Sequence, residues 1–170
     1  MVREILMLGL FPALMAFAAA SDLITMTISN RLSLLLAAGF FVAAFLIGMP
    51  LMEMGYHVLA ALIVLVIAFG CFSFGWIGGG DAKLAAATAL WFGFSHLMDY
   101  LVLASLLGGA LTLMILIVRG WPLPLFLERE PWIERLHRVN TGIPYGIALA
   151  FAGLLVYLDT DFIRVVALGQ

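Results

Sequence analysis

Six stretches of the chain contain no Asp, Glu, Lys or Arg: residues 5–21, 32–52, 54–80, 84–98, 100–118 and 139–158. A helix needs roughly 20 apolar residues to cross the hydrocarbon core of a bilayer, and about 17–25 are tolerated. The pattern predicts an all-α, polytopic integral membrane protein of about six transmembrane helices with short loops. Its spans fall near 4–21, 32–50, 56–76, 83–98, 100–118 and 143–158, and residues 1–170 read as a single polytopic membrane domain. The fourth span is short, so Lys83 must snorkel to lengthen it.

Composition narrows the possibilities. Hydrophobic side chains make up 65% of the chain, charged ones 11%, and the mean hydropathy is +1.19. A soluble domain is nearer half apolar and a quarter charged. The net charge of −2 provides no basic surface for nucleic acid. Cys71 is the single cysteine, too few for a disulfide framework or a cysteine-type zinc site, and reads as packing. His57 and His96 fall near one set of span ends and His137 on the other side, so no three-histidine metal site is expected. Ser95-His96 is an adjacent pair, but Asp99 follows at the wrong helical offset for a relay. No internal repeat is found, which weakens a transporter built of inverted halves. Gly108-Gly109 in the fifth span suit close helix packing.

Arg3, an apolar run and Ala18-Ala19-Ala20-Ser21 imitate a signal peptide. Glu4 beside Arg3, Pro12 in mid-run and the odd number of spans left by cleavage argue for a retained first helix. With six spans, both termini share a side. The odd-numbered loops then hold Arg31, Lys83, Arg119, Arg129, Arg135 and Arg138, against Arg3 and Arg164 on the other side. The positive-inside rule puts the termini outside and the odd loops in the cytoplasm. Asp22, ending the first span, and Asp81, beginning the fourth, therefore lie at the same cytoplasmic interface. Glu4, Glu53, Asp99, Asp159 and Asp161 lie opposite. Only Glu128, Glu130 and Glu134 join the pair on its side.

Two segments around this pair stand out: Ser21-Asp22-Leu23-Ile24-Thr25-Met26-Thr27-Ile28-Ser29-Asn30-Arg31 and Gly78-Gly79-Gly80-Asp81-Ala82-Lys83. Three successive glycines are costly in backbone entropy and suit a sharp turn or a close backbone approach, as an extended peptide would need. Each residue also has a plain explanation. Asp81 serves as an N-cap with the glycines as its entry turn, Asn30 as an N-cap of the second span, and Lys83 as an interfacial anchor.

Together, Gly78-x-Gly80-Asp81-x-Lys83 resembles the GxGD signature of intramembrane aspartic proteases, and its GD-x-K form resembles bacterial prepilin peptidases. In that family a first aspartate follows the first membrane helix, shortly before an Ile-Pro-Asn, and Asp22 and Ile28-Ser29-Asn30 fall there. Ile143-Pro144-Tyr145-Gly146-Ile147-Ala148 looks like the Pro-Tyr-Gly segment opening the last helix of the small prepilin peptidases of Flp/Tad pili. Ser29 stands where the family usually has proline. The larger members also carry a four-cysteine loop and methylate their product. Here the 22–31 loop is too short and Cys71 is alone.

The resemblance implies a membrane aspartic endopeptidase of the bacterial cytoplasmic (inner) membrane, with its site facing the cytoplasm. It implies Asp22 and Asp81 as the catalytic pair, with Gly78, Gly80, Lys83 and Asn30 in support. Two carboxylates held close share a proton; one activates water and the other hydrogen-bonds the carbonyl oxygen. The implied substrate is a membrane-inserted prepilin with a short cytoplasmic leader. The lipid bilayer surrounds the enzyme, pilus-assembly machinery is a further partner, and no cofactor or metal is needed. The residues binding substrate are not identified. Pro131 is a good first helical residue. Trp132, Ile133, Leu136 and Val139 share a face opposite Glu134, Arg135, His137 and Arg138, predicting a short interfacial helix. Two rivals remain. A small ion- or proton-coupled transporter would place acids deep in spans, and a non-catalytic subunit of a pilus or secretion assembly would tolerate loss of both aspartates.

Overall fold

The computed structural model describes residues 2–124, 129–160 and 162–163, with side chains from Met7 onward. Glu128, Asp161 and Arg164 lie outside the described residues, as do the side chains of Arg3 and Glu4. The described residues form six helices: α1 (Val2–Thr25), α2 (Asn30–Ile47), α3 (Leu51–Ser73), α4 (Gly79–Arg119), α5 (Pro131–His137) and α6 (Tyr145–Tyr157). Four of them, α1 to α4, are long and apolar enough to cross a membrane. The chain is an all-helical polytopic membrane protein.

The sequence pattern separates a fourth span from a fifth at Asp99. The structure instead runs one helical element through Asp99 and breaks it at Gly93, where φ is +54° and ψ is −163°. That backbone region is open essentially to glycine alone, whereas an exposed Asp can remain helical. A straight helix would hold Asp81 and Arg119 about 57 Å apart, yet both line one cavity. Ala89 and Leu97 share one cluster, joined by Ala85 and Leu101, and Asp81 and Ser105 line one cleft. All three pairs are centred on Gly93. α4 therefore doubles back there into arms 79–92 and 94–119, and the six apolar runs give six rod-like segments with one boundary moved.

His57 fills the bend. Its Nδ1 lies 2.8 Å from the carbonyl oxygen of Leu90, an acceptor next to the interrupted helical ladder. Its ring stacks on Phe40 with centroids 5.2 Å apart. At the same end Phe11 stacks on Tyr157 at 4.4 Å and packs on Trp91 at 5.1 Å, and Trp91 meets Phe162 at 5.2 Å. Tyr157 donates to the carbonyl of Met7 at 2.8 Å and Trp91 Nε1 to that of Leu36 at 2.9 Å, so their polar atoms are satisfied. Met7, Phe11, Met15 and Ala18 of α1 are fully buried, so the first helix is part of the core. Outward faces carry residues such as Phe45, Leu51 and Val66, an apolar exterior in keeping with the long apolar helices. The aromatic core thus ties one end of the bundle, and the helix ends at the other end build the site.

Candidate functional site

α1 ends at Thr25, and Met26 takes a left-handed turn with φ +52°. Hydroxyl groups fold the next residues back onto the helix end. Ser21 Oγ donates to the Thr27 carbonyl at 3.0 Å, Thr25 Oγ1 to the Ser21 carbonyl at 2.7 Å, and the Thr25 and Thr27 hydroxyls lie 2.7 Å apart. These contacts tie Thr27, beyond the helix end, back to the last turn of α1. Ser29 then caps α2, its Oγ accepting from the Leu32 N–H at 3.3 Å. The sequence expectation of Asn30 as the cap is corrected by one position. Ser29 provides the helix-starting contact.

The glycine run starts α4. Gly78 is the N-cap, so Asp81 is the third residue of the helix rather than its cap. Its carboxylate folds back over Gly78, where an added Cβ would stand 2.9 Å from Asp81 Oδ2. At Gly80 a Cβ would come within 3.1 Å of Ile28 Cβ and 3.4 Å of the Ile28 backbone nitrogen. The clearance provided by Gly80 is thus used by the Asp22 loop itself, which packs directly on the Asp81 turn. Lys83 Nζ donates to Asn30 Oδ1 at 2.7 Å and joins the same two segments on another face of the helix.

Asp22 is 4% exposed, and its Oδ2 accepts the backbone N–H of Gly146 at 2.7 Å. A Cβ on Gly146 would lie 2.7 Å from Asp22 Oδ2 and 2.7 Å from Ile28 Cδ1, so the approach requires glycine. Pro144, with no N–H, precedes the first residue of α6. At that helix start the Gly146 N–H is the one given to the carboxylate, while the Tyr145 and Ile147 N–H groups donate to the carbonyls of Ile143 and Pro144.

Asp22 and Asp81 line one cavity of about 680 Å³. Its walls come from Met26, Thr27 and Ile28, from residues 75–80, and from Arg119, Thr141, Gly142, Ile143 and Tyr145. The two carboxylates thus face one space from the end of α1 and the start of α4. Gly78 and Gly80 belong to this cavity. Lys83 and Asn30 do not; they bond to each other and line a neighbouring apolar groove.

Several cavity residues carried no assignment from sequence. Arg119, at the end of α4, donates from Nε to the Leu136 carbonyl at 2.7 Å and from Nη2 to the Thr141 and Gly142 carbonyls at 3.1 and 2.9 Å. Arg135 Nη1 reaches the Ile24 carbonyl at 2.9 Å and ties α5 to the end of α1. α5 begins at Pro131 as the sequence suggests but stops at His137, leaving Val139 beyond it and exposed. Gly146 and Tyr145 had a signal, the Pro-Tyr-Gly segment, but no role. His96 Nδ1 comes to 4.0 Å from Asp99 Oδ2, closer than its offset suggested, and neither they nor Ser95 lines the cavity.

The fold and site define a helical membrane protein that gathers two carboxylates from distant segments into one cavity at one end of its bundle. Residues 9–113 match the type IV leader peptidase family. The chain belongs to that family, and the matched region contains Asp22, Gly78, Gly80, Asp81, Lys83 and Asn30. Comparison with curated proteins and with solved structures returned no match.

Proposed function

We propose that this peptidase cleaves the short leader from Flp/Tad-like type IV prepilins by an aspartic mechanism, with Asp22 and Asp81 as the catalytic pair. The observation that carries the reading is the shared cavity of these two acids, one closing α1 and the other opening α4. One carboxylate takes a proton from water as the water oxygen attacks the scissile carbonyl carbon, and the protonated partner hydrogen-bonds the carbonyl oxygen as that carbon becomes tetrahedral. Collapse of that intermediate breaks the C–N bond, and the departing nitrogen takes a proton from the pair. Gly146 holds Asp22 in place through its N–H. Lys83 and Asn30 support the site by fastening its two segments together. The whole chain acts as one polytopic domain.

The six-to-two distribution of basic residues supports an inner-membrane orientation with the cavity facing the cytoplasm and the N-terminus outside. A membrane-inserted precursor would present its leader on that side. Cleavage alone is assigned to the chain, since the 22–31 loop is too short to match the four-cysteine loop of the methylating members and Cys71 is the single cysteine. The test is processing of a Flp-type prepilin in membranes holding wild type, Asp22→Asn or Asp81→Asn, with insertion of each checked. Shortening by wild type alone supports the pair. Equal processing by the variants removes the mechanism, and failure of the wild type as well removes the substrate assignment.

A further inference from the structure

Away from the carboxylates, a groove opens on the side of the bundle between α2 and α3, over the first arm of α4. Each helix presents one face to it, with residues recurring every three or four positions, as at Asn30, Ser33, Ala37 and Phe41 of α2. The floor is low because Ala86 and Ala87 of α4 are buried there, and the walls are exposed apolar side chains such as Leu34 and Leu62. The groove has a volume of about 530 Å³. From Asn30 to Phe41 it follows α2 for about 16 Å, close to the hydrocarbon depth of one bilayer leaflet, about 15 Å. Length and volume together give a cross-section of about 33 Å², against about 80 Å² for a helix 10 Å across. The groove therefore admits an extended chain and not a helix.

Polar groups are confined to one end of the groove, the end nearer the aspartates. Lys83 Nζ donates to Asn30 Oδ1 at 2.7 Å, and an ammonium has three donors. Among the described residues no carboxylate pairs with Lys83, and none lines the groove. About 4.5 Å deeper along α2 than Asn30, the Oγ atom of Ser33 is buried with no hydrogen-bond partner among the described residues. We propose that the groove binds one acyl chain of an anionic glycerophospholipid, with the phosphate on Lys83 and a glycerol ester oxygen accepting from Ser33. The phosphate gives the ammonium a counter-charge that the neutral Asn30 does not. The ester gives Ser33 a partner in apolar surroundings, where an unmade hydrogen bond is costly. A zwitterionic head would bring a second cation to a groove whose lining holds no carboxylate to receive it, so an anionic head is preferred. A soluble phosphate would engage Lys83 and leave the apolar length uncovered. Bound there, the lipid touches α2, α3 and α4 and braces the Lys83–Asn30 bond between the two aspartate segments.

The test uses the full chain, delipidated in a non-ionic detergent. The probes are phosphatidylglycerol and phosphatidylcholine with the same acyl chains, and binding is read by native mass spectrometry. Wild type should hold one phosphatidylglycerol about fivefold more tightly than phosphatidylcholine, the scale of one lysine facing one lipid anion. Lys83→Gln keeps a donor for Asn30 and should abolish that preference. Arg31→Gln removes an exposed charge outside the groove and should keep it. Ala61→Phe narrows the groove and should weaken both lipids, whereas Val66→Phe on the outer face of α3 should change neither. Equal loss in Arg31→Gln and Lys83→Gln would mean diffuse attraction to the surface and overturn the site, as would unchanged binding in Ala61→Phe. Displacement of the lipid by inorganic phosphate would assign Lys83 to a soluble anion, and displacement by a Flp-type prepilin would assign the groove to substrate; either overturns the lipid assignment. A wild-type dimer without bound lipid, lost in Ala61→Phe, would make the groove a contact between copies and overturn it as well. Because binding and not cleavage is read, the result stands whatever the outcome of the prepilin test.

Discussion

The backbone N–H of Gly146 donates to Oδ2 of Asp22 at 2.7 Å, joining residues 124 positions apart. The bond fixes one oxygen of a buried carboxylate without adding a charge. Alanine at 146 would put its Cβ 2.7 Å from that oxygen, forcing the carboxylate or the start of α6 to move. Gly146→Ala should reduce prepilin cleavage about 100-fold, the scale of a misplacement near 1 Å, with normal membrane insertion. Gly109→Ala meets nothing within 4 Å and should process normally. Equal activity of the two variants would refute the positioning role.

Lys83 and Asn30 join the two aspartate segments through one charge-assisted hydrogen bond across 53 positions. Both residues are exposed, so the loss from either alanine variant should be small, about 1 kcal/mol of stability. The double variant should be little worse than either single one, because the same interaction is lost each time. Thermal unfolding in detergent of the four proteins would close this cycle, and simple additivity would show that the pair is not coupled.

The pairing of Asp22 with Asp81 was legible because it needs only charge counting. Charges mark span ends, span parity assigns ends to sides, and these two acids then share a side. The bend at Gly93 was not legible, because hydropathy registers the charge of Asp99 and is blind to φ. The glycine run suggests a sharp turn or a close backbone approach, and at Gly80 the approaching backbone is that of Ile28; no pattern within one segment encodes which other segment comes near. Gly146 and Arg119 were harder still. The N–H of one acts on Asp22, and the other grips backbone carbonyls, groups every residue carries.

Arg119 should act as a clamp on the far rim of the cavity. Nε and Nη2 reach carbonyls at Leu136, Thr141 and Gly142 together, a fork that a single ammonium cannot reproduce. Arg119→Lys should therefore behave nearly as Arg119→Ala. In both, hydrogen exchange across 136–143 should quicken and cleavage should fall, while exchange in α2 is unchanged. Full rescue by lysine would mean that charge alone matters at this position.

Met26 pays for its place in the turn after α1 with a left-handed backbone, φ +52°. Such a conformation costs an L-residue roughly 1–2 kcal/mol, and glycine escapes most of it. Met26→Gly should raise the resistance of the protein to thermal unfolding in detergent. A lowered midpoint would indicate that the side-chain contacts of Met26 outweigh the relief of strain.

Gly93 faces two obstacles to substitution, and they can be separated. Its φ of +54° with ψ −163° excludes a side chain on backbone grounds. A Cβ there would also stand 2.7 Å from His57 Nε2. Gly93→Ala should destabilise the bundle by about 2 kcal/mol or more. His57→Ala should cost about 1–3 kcal/mol by leaving the Leu90 carbonyl without its ring partner. The double variant has no ring to collide with, so its loss should be less than the sum of the two single losses. The backbone cost would remain, so it should not return to the level of His57→Ala. Thermal unfolding of the three variants decides the matter. A strictly additive result would mean that the bend tolerates the ring contact, and full recovery to the His57→Ala level would mean that the dihedral angles at Gly93 carry no cost.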